Sequence, residues 1–469
     1  MNFEKLYING EYVDSTSGKF IEVENPATNE IIGRVPRGNT EDVEKAAIAA
    51  KEAFKTFSQT SLDERVEIME KFADYLKENL DEIAELITKE LGSPIEFSKK
   101  THVQSQIDRV EKYIEIVKDY EFSRRDASAL IVKEPAGVIG CLTPWNYPLG
   151  QIIQKVVFAI LAGNTIVLKP SQQTPLVAYY VVDGFEKAGL PKGVLNLVTG
   201  AGGEVGNAIA TSKYIDVISF TGSTKGGREV AKLAQETIKR TTLELGGKSP
   251  AIFLDKENLD IGVNKMLGIV IRNAGQTCAA WSRAIVLESL REEFEAEVKR
   301  QFPDFIVGDP NDLNSISGPL ASKKQYDKVT KYIEEGRKIA DVLIEGDYDF
   351  PDKGYYVNPI VFTNVKNDSI IARDEIFGPV LSVIYVKDKE EAIEVANDTD
   401  YGLSGAVFGK QDQALEVAKL IRTGTITVND GPGETGTPFG GYKMSGYGRE
   451  GGIEGLEEYL ETKTINVRE

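Results

Sequence analysis

Short apolar segments alternate with helical segments through most of the chain, and this alternation restricts the fold more than any other feature. A short apolar run between turn residues is typical of a strand buried on both faces. Such strands form a parallel sheet when helices separate them, because each parallel connection crosses over the sheet. In the middle of the chain these strands are predicted at 165–168, 194–198 and 215–220.

A second series of strands and helices begins after Glu244. Its strands are predicted near 251–254, 284–287 and 380–386. The 469 residues suffice for about three domain-sized units. We therefore expect an α/β protein with two parallel sheets. The boundary between its two domains falls near residue 245, where no linker composition marks it.

The region before about residue 129 has the pattern of a scaffold. Asn9-Gly10 between two apolar segments predicts a type I′ hairpin, Ser61 and Glu64 predict a capping box, and Gly92 with Pro94 predicts the end of a helix. The segments 129–132 and 138–142, joined through Pro135-Ala136-Gly137, are predicted to form a second hairpin.

Charge and scarce residue types exclude several functions. With 55 Lys and Arg against 73 Asp and Glu, the net charge of −18 disfavours nucleic acid and anionic membrane surfaces. The N-terminus lacks the pattern of a signal peptide, and the apolar runs are too short to span a membrane, so we expect a cytoplasmic protein. One histidine, His102, and two cysteines cannot build the usual zinc sites. His102 lies among polar residues and is predicted to be a solvated helix residue.

Three segments are rich in glycine, and the first two of them follow predicted strands. The segment 200–206 is spaced one residue too long for a GxGxxG loop, so it is weak support for dinucleotide binding. The segment 221–227 precedes a helix predicted near Arg228, and bare amides at a helix start suit a phosphate. The segment 246–249 resembles the end of a P-loop, but Thr242 stands where a P-loop needs glycine, so we reject that interpretation.

The two cysteines have different surroundings. Cys141 lies in an apolar strand and is predicted to be an inert, buried thiol. Cys278 lies among small and polar residues, where a buried thiol and a nucleophile are equally good interpretations. A nucleophilic thiol needs a base, and with histidine nearly absent a carboxylate has to serve. Glu244, between two leucines, is either a salt-bridged strand residue or a base whose pKa is raised by apolar neighbours.

Seven segments together resemble the NAD(P)-dependent aldehyde dehydrogenase superfamily, in the order that family has them. The resemblance covers nearly the whole chain, from Asn9-Gly10 to Tyr459. The segments are Pro144-Trp145-Asn146-Tyr147-Pro148, Lys169-Pro170-Ser171, Phe220-Thr221-Gly222-Ser223-Thr224, Leu243-Glu244-Leu245-Gly246-Gly247-Lys248, Gly275-Gln276-Thr277-Cys278, Glu375-Ile376-Phe377-Gly378-Pro379 and Pro438-Phe439-Gly440-Gly441-Tyr442-Lys443-Met444-Ser445-Gly446.

The resemblance implies oxidation of an aldehyde to a carboxylic acid without a metal. Cys278 would attack the aldehyde carbon, and the Asn146 amide with the Cys278 backbone N–H would hold the oxyanion. After hydride transfer to the cofactor, Glu244 would activate the water that hydrolyses the thioester.

The resemblance also implies NAD or NADP as cofactor. Many NAD-preferring members have Glu where this chain has Gln172, which leaves NADP use open. Gln154, eight residues after Asn146, implies a polar substrate tunnel. The implied cofactor-binding residues are Trp145, Lys169, Gln172, Gly222, Ser223, Gly227, Leu245, Glu375 and Phe377, with Gly227 alternatively serving only close helix packing.

The family's architecture implies two Rossmann-like parallel-sheet domains and a small β element that makes a homodimer or homotetramer. The implied parts are a cofactor-binding domain at 1–123 and 143–245, a catalytic domain at 246–440, and an oligomerisation element at 124–142 and 441–469. Three alternatives remain open: a dehydrogenase that acylates coenzyme A, a cofactor-independent thiol esterase, and a non-catalytic structural protein.

Overall fold

The computed structural model describes residues 2–467. Residues 1, 468 and 469, at the ends of the predicted cofactor-binding domain and oligomerisation element, lie outside this description. The fold is α/β, as predicted, and contains two large, mostly parallel sheets and two small antiparallel ones.

The first large sheet has eight strands. Its five central strands are parallel, and antiparallel strands complete both edges. With strands numbered along the chain, the spatial order is β19 (Gly446–Tyr447), β11 (Arg240–Glu244), β10 (Val217–Thr221), β7 (Val138–Leu142), β8 (Thr165–Lys169), β9 (Leu195–Leu197), β1 (Leu6–Ile8) and β2 (Glu11–Val13).

The second large sheet has seven strands, parallel except for one antiparallel edge strand. Its spatial order is β14 (Asp341–Glu345), β15 (Ile360–Thr363), β16 (Val380–Val386), β13 (Arg283–Leu287), β12 (Pro250–Phe253), β17 (Ala406–Phe408) and β18 (Thr427–Val428).

Two small sheets are antiparallel. A three-stranded sheet contains β20 (Leu460–Asn466), β6 (Ala129–Pro135) and β5 (Ser123–Asp126), in that order. The other pairs β3 (Phe20–Asn25) with β4 (Glu30–Pro36).

Helices cover the large sheets and connect their strands. They are α1 (Thr40–Phe57), α2 (Leu62–Glu78), α3 (Leu80–Leu91), α4 (Ile95–Phe97), α5 (Ser105–Lys118), α6 (Pro148–Leu161), α7 (Val177–Lys187), α8 (Asn207–Thr211), α9 (Thr224–Ala234), α10 (Leu259–Ile271), α11 (Arg291–Gln301), α12 (Lys323–Ile339), α13 (Ile370–Arg373), α14 (Lys389–Asn397), α15 (Gln411–Leu420) and α16 (Gly452–Glu457). Within residues 2–467, none is long and apolar enough to cross a membrane.

The strand order of the eight-stranded sheet places a ligand site. From β7 the chain runs outward through β8 and β9, and then returns to the other side of β7 for β10 and β11. Ligands of such sheets bind beyond the carboxyl ends of the strands where the order reverses. The loops after β7 and β10 begin with Thr143 and Gly222, so both belong to this location.

Most local predictions are confirmed. The Asn9-Gly10 turn joins β1 to β2, Ser61 and Glu64 form the capping box of α2, and α3 ends at Gly92 with φ +82°. The predicted hairpin of 129–132 with 138–142 is wrong. β6 pairs with β5 and β20, whereas β7 lies between β8 and β10 in the eight-stranded sheet. The Pro135–Gly137 segment therefore passes from one sheet to another.

Candidate active site

A cavity of about 480 Å³ lies where the two large sheets meet. The loops after β7, β8, β10 and β11 form one wall, and the loops before β13 and β16 form the other. The lining residues are Pro144, Trp145, Asn146, Ser171, Gln172, Gln173, Thr221, Gly222, Ser223, Leu245, Gly246, Cys278, Ser322, Lys324, Gln325, Lys328, Glu375 and Phe377. The structure thus brings together segments that are up to 233 residues apart in the sequence, from Pro144 to Phe377.

The loop that carries Cys278 has an unusual backbone. Asn273, Ala274 and Gly275 all have positive φ, at 54°, 52° and 70°. A Cβ on Gly275 would lie 2.2 Å from the carbonyl carbon of Gly378, so only glycine fits there. The close contact presses this loop against the segment that carries Glu375 and fixes the position of Cys278.

The surroundings of the Cys278 thiol disfavour its ionised form. Burial, and then the nearby carboxylates of Glu375, Glu244 and Glu450, raise its pKa to about 12, while the Ala279 backbone N–H lowers it. A thiol with such a pKa needs a base or a charged ligand before it can act as a nucleophile. Cys141, by contrast, is buried in β7, and burial raises its pKa to about 12, as expected of an inert thiol.

Asn146 is held on both its side chain and its backbone. One N–H of its amide donates to the Gln276 carbonyl at 2.9 Å, and the Asn273 amide donates to the Asn146 carbonyl at 2.8 Å. An asparagine amide has two N–H donors. The second one has no partner among the described residues, and Asn146 and Cys278 line the same cavity.

Glu244 is buried at the end of β11, with 2% of its surface exposed. Neither carboxylate oxygen has a hydrogen-bond partner among the described residues. Burial, followed by the charge of Glu450, raises its pKa well above the usual value. A Cβ on Gly440 would lie 2.6 Å from Glu244 Oε1, so this glycine leaves the room that the carboxylate occupies.

A buried ion pair beside Glu244 was not predicted. Lys155 and Glu450 are in contact with each other and are both nearly inaccessible to solvent. Lys155 also donates to Ser219 at 3.1 Å. The signal was the one charged residue of helix α6, but the sequence does not identify its partner, which lies 295 residues away.

Helix α9 points its first turn at the cavity. Ser223 caps the helix by accepting the Gly226 N–H at 3.2 Å, so the helix begins at Thr224 and not near Arg228 as predicted. Gly222 and Ser223 line the cavity, whereas Gly227 does not. A Cβ on Gly227 would lie 2.5 Å from Leu245 Cδ2, so this glycine allows α9 to pack against a lining residue.

Glu375 and Phe377 enter the cavity from the loop before β16. The Gly247 N–H donates to Glu375 Oε1 at 3.1 Å, and a Cβ on Gly246 would lie 2.4 Å from the same carboxylate. Burial raises the pKa of Glu375. The Phe377 ring meets Trp145 edge to face, with centroids 5.4 Å apart.

Lys169 and Gln172 follow β8. The Lys169 ammonium is buried, donates to the Pro170 carbonyl at 2.8 Å, and has its pKa lowered to about 8 by burial. It does not line the cavity, whereas the exposed Gln172 does. Lys324 and Lys328 on α12 were not predicted; no motif marks them, and they add positive charge to the cavity wall.

One further prediction is wrong, and another stays a prediction. His102 is not solvated: it is fully buried in a π-helical turn at Ser98–Gln104, where burial lowers its pKa to about 3 and its ring lies 5.0 Å from that of Tyr147. Gln154 lies on α6 and does not line the cavity that contains Cys278, and its place in a polar substrate tunnel stays a prediction.

Comparisons with known proteins agree with this geometry. The model of the aldehyde dehydrogenase family matches residues 12–465. A protein of Staphylococcus saprophyticus that carries an aldehyde dehydrogenase name is 43% identical over 468 residues, which cover 99% of this chain and 98% of that relative.

Solved structures agree as well. A mutant of aldehyde dehydrogenase C from Pseudomonas syringae, in complex with NAD+ and octanal, is 39% identical with a TM-score of 0.97, covering 99% of this chain and 96% of that one. Betaine aldehyde dehydrogenase from Staphylococcus aureus, in complex with NAD+, is 36% identical with a TM-score of 0.95, covering 98% and 94%. With its fold, its cavity and these matches over nearly its whole length, the chain belongs to the aldehyde dehydrogenase family.

Proposed function

We propose that the protein oxidises an aldehyde to a carboxylic acid with NAD or NADP, through a thiohemiacetal and a thioester on Cys278. The observation that carries the proposal is one cavity lined by the Cys278 thiol, the Asn146 amide and the Glu375 carboxylate. The complexes of two similar structures with NAD+ support it.

The residues present fit a dinucleotide. The first turn of α9, at Ser223, offers unpaired N–H groups and the positive end of a helix dipole, which suit a pyrophosphate. Gln172 and Lys324 lie on the same lining, where the neutral amide leaves room for either NAD or NADP. Glu375 would accept hydrogen bonds from ribose hydroxyls, and Phe377 would pack on the nicotinamide side. Trp145, Gly222 and Leu245 complete the lining, while Lys169 and Gly227 would act from behind it.

The nicotinamide supplies the hydride acceptor when bound. Cys278 would lose its proton to solvent, with its thiolate stabilised by the positive charge of the oxidised nicotinamide, and its sulfur then forms a C–S bond to the aldehyde carbon. The carbonyl oxygen becomes an oxyanion beside the Asn146 amide. Loss of one such donor typically lowers the rate by about 10²–10³. Removal of the hydride leaves a thioester on Cys278.

Glu244 then acts as general base. Its unpartnered carboxylate takes a proton from water while the oxygen attacks the thioester carbon. The C–S bond breaks, the carboxylic acid leaves, and Cys278 is free for another cycle. A raised pKa suits this role, because a base works best when its pKa lies near the operating pH.

The test is Glu244→Gln, assayed with NAD and with NADP. We expect the steady-state rate to fall by about 10²–10⁴. A rapid burst of about one equivalent of reduced cofactor per active site should remain, because the thioester forms but is not hydrolysed. Glu67→Gln on the exposed face of α2 is the matched control and should keep the full rate.

Three results would contradict the proposal. Full steady-state activity of Glu244→Gln would remove the base from the mechanism. Formation of acyl-CoA at the wild-type hydrolytic rate, when coenzyme A is added, would favour a CoA-acylating enzyme. Ester cleavage without cofactor reduction for any aldehyde would favour a thiol esterase. The two free cysteines support a reducing compartment such as the cytoplasm for this reaction.

A further inference from the structure

A second cavity, of about 310 Å³, borders the segments that carry Asn146 and Cys278. Tyr147 and Thr277, the chain neighbours of Asn146 and Cys278, both line it, and their hydroxyl oxygens are 2.9 Å apart. It shares no lining residue with the cavity that contains Cys278. The second cavity is therefore separate from the first and borders the chain neighbours of the reacting residues, and we place the aldehyde in it when the cofactor fills the first.

The charge of this cavity is opposite to that of the protein. The chain has a net charge of −18, yet the ionisable groups of the lining are Lys265, Arg272 and Tyr147, with no carboxylate among them. Lys265 is paired with Asp430 at 2.5 Å. Within residues 2–467, the Arg272 guanidinium has no ion-pair or hydrogen-bond partner, and it is exposed.

The position of Arg272 is set by helix α10. Arg272 caps the end of this helix, and its guanidinium lies back over the preceding turn, 3.7 Å from the place where a Cβ on Gly268 would be. This distance is ordinary van der Waals contact, and both Gly268 and Arg272 line the cavity. The apolar part of the lining consists of Phe97, Ile269 and Trp281, and the polar part includes Asn264, Lys265, Tyr147 and Thr277.

We infer that the preferred substrate is a short aliphatic aldehyde with a carboxylate at its far end, held by Arg272. This inference rests on the proposed function. The apolar part of the lining suits a methylene chain, and a volume near the lower end of ligand cavities, about 300–1,000 Å³, suits a short one. A guanidinium without a protein partner offers paired N–H donors that match a carboxylate. The same charge disfavours an aldehyde that carries a quaternary ammonium group.

The test compares three aldehydes of different charge: 4-oxobutanoate, butanal and betaine aldehyde. The value of kcat/KM is measured for each with the wild type, Arg272→Gln and Arg272→Lys. A hydrogen bond to a charged group is worth enough to change affinity about 10- to 100-fold. We therefore expect the ratio of kcat/KM for 4-oxobutanoate over butanal to fall by that factor in Arg272→Gln, mainly through KM, and by less in Arg272→Lys.

Arg34→Gln is the matched control, because it removes a guanidinium that contacts Glu4 and Phe20 and lines neither cavity. It should keep the wild-type ratio. In the wild type the ratio should also fall as salt is added, since an exposed ion pair is screened.

The outcomes distinguish a wrong inference about Arg272 from a wrong proposed function. If butanal is oxidised but Arg272→Gln keeps the wild-type ratio, or if the wild type prefers betaine aldehyde, the inference about Arg272 is wrong and the proposed function stands. If neither the wild type nor Arg34→Gln reduces NAD or NADP with any of the three aldehydes, the proposed function fails and the inference fails with it.

Discussion

Glu244 is surrounded by charges that move its pKa in opposite directions. After burial, Glu450 raises the pKa most, Lys155 and Arg449 lower it, and Glu458 raises it further. In the variant Glu450→Gln one raising charge disappears, and Lys155 loses its carboxylate partner. Both changes lower the pKa of Glu244. Because a general base works in its ionised form, and Glu244 acts in thioester hydrolysis, we expect the acidic limb of the kcat profile to move to lower pH.

The measurement is a pH–rate profile of Glu450→Gln beside the wild type and Glu454→Gln, which removes an exposed carboxylate of α16. Breaking a buried ion pair costs about 3–5 kcal/mol of stability, but the position of the limb does not depend on the folded fraction. An unmoved limb in Glu450→Gln would show that Glu450 does not act on the base.

At the scale of elements, the packing of α9 against the end of β11 positions the floor of the cavity. Gly227→Ala would place a methyl group 2.5 Å from Leu245 Cδ2, so either the helix or Leu245 has to move. Overpacking of this kind costs about 1–3 kcal/mol. We expect a lower Tm and a several-fold higher KM for the cofactor, measured by thermal unfolding and initial rates.

Gly206→Ala is the control for this variant, since a Cβ there has no atom within 4 Å. It should leave the cofactor KM unchanged. Equal cofactor KM values for Gly227→Ala and the wild type would mean that Leu245 is free to move without loss of binding, and that the contact serves packing alone.

At the scale of the whole molecule, the three-stranded sheet leaves β20 as an exposed edge, with Ile465 and Val467 accessible to solvent. The two-residue turn after Asp126 makes Asp126 and Ala129 a hydrogen-bonded pair of the β5–β6 ladder. Alternate residues of β6 therefore form backbone hydrogen bonds with β5, and the residues between them form theirs with β20. The Thr464 N–H then points away from β6. We propose that this edge pairs with a partner subunit in a homodimer or homotetramer.

Thr464→Pro tests the edge, because it removes that outward donor without breaking a bond to β6. Light scattering should give a dimer or tetramer for the wild type and for Thr464→Ser, and a smaller species for Thr464→Pro. A monomeric wild type at micromolar concentration would contradict the proposal, as would an unchanged assembly of the proline variant.

Local patterns predicted the elements well where the deciding interactions are local. The Asn9-Gly10 turn and the Ser61 cap involve atoms within a few residues of each other. Local patterns gave wrong predictions where an element pairs with a segment far away in the sequence. Val138–Leu142 reads as half of a hairpin, yet its partners are β8 and β10. The prediction of a solvated His102 was wrong for the same reason, because its polar chain neighbours do not reveal that aromatic rings pack against it.

The sequence by itself determined the α/β class, and by resemblance it named the residues with the right chemistry, such as Cys278, Glu244 and Asn146. Only the tertiary structure decided that Cys278 and Asn146 line one cavity and that Glu244 is not part of its lining. It also added Lys155, Glu450 and Arg272. The physical reason is that strand and helix patterns arise from interactions along the chain. Burial, charge pairing and the resulting pKa shifts arise from groups that meet only when the chain is folded.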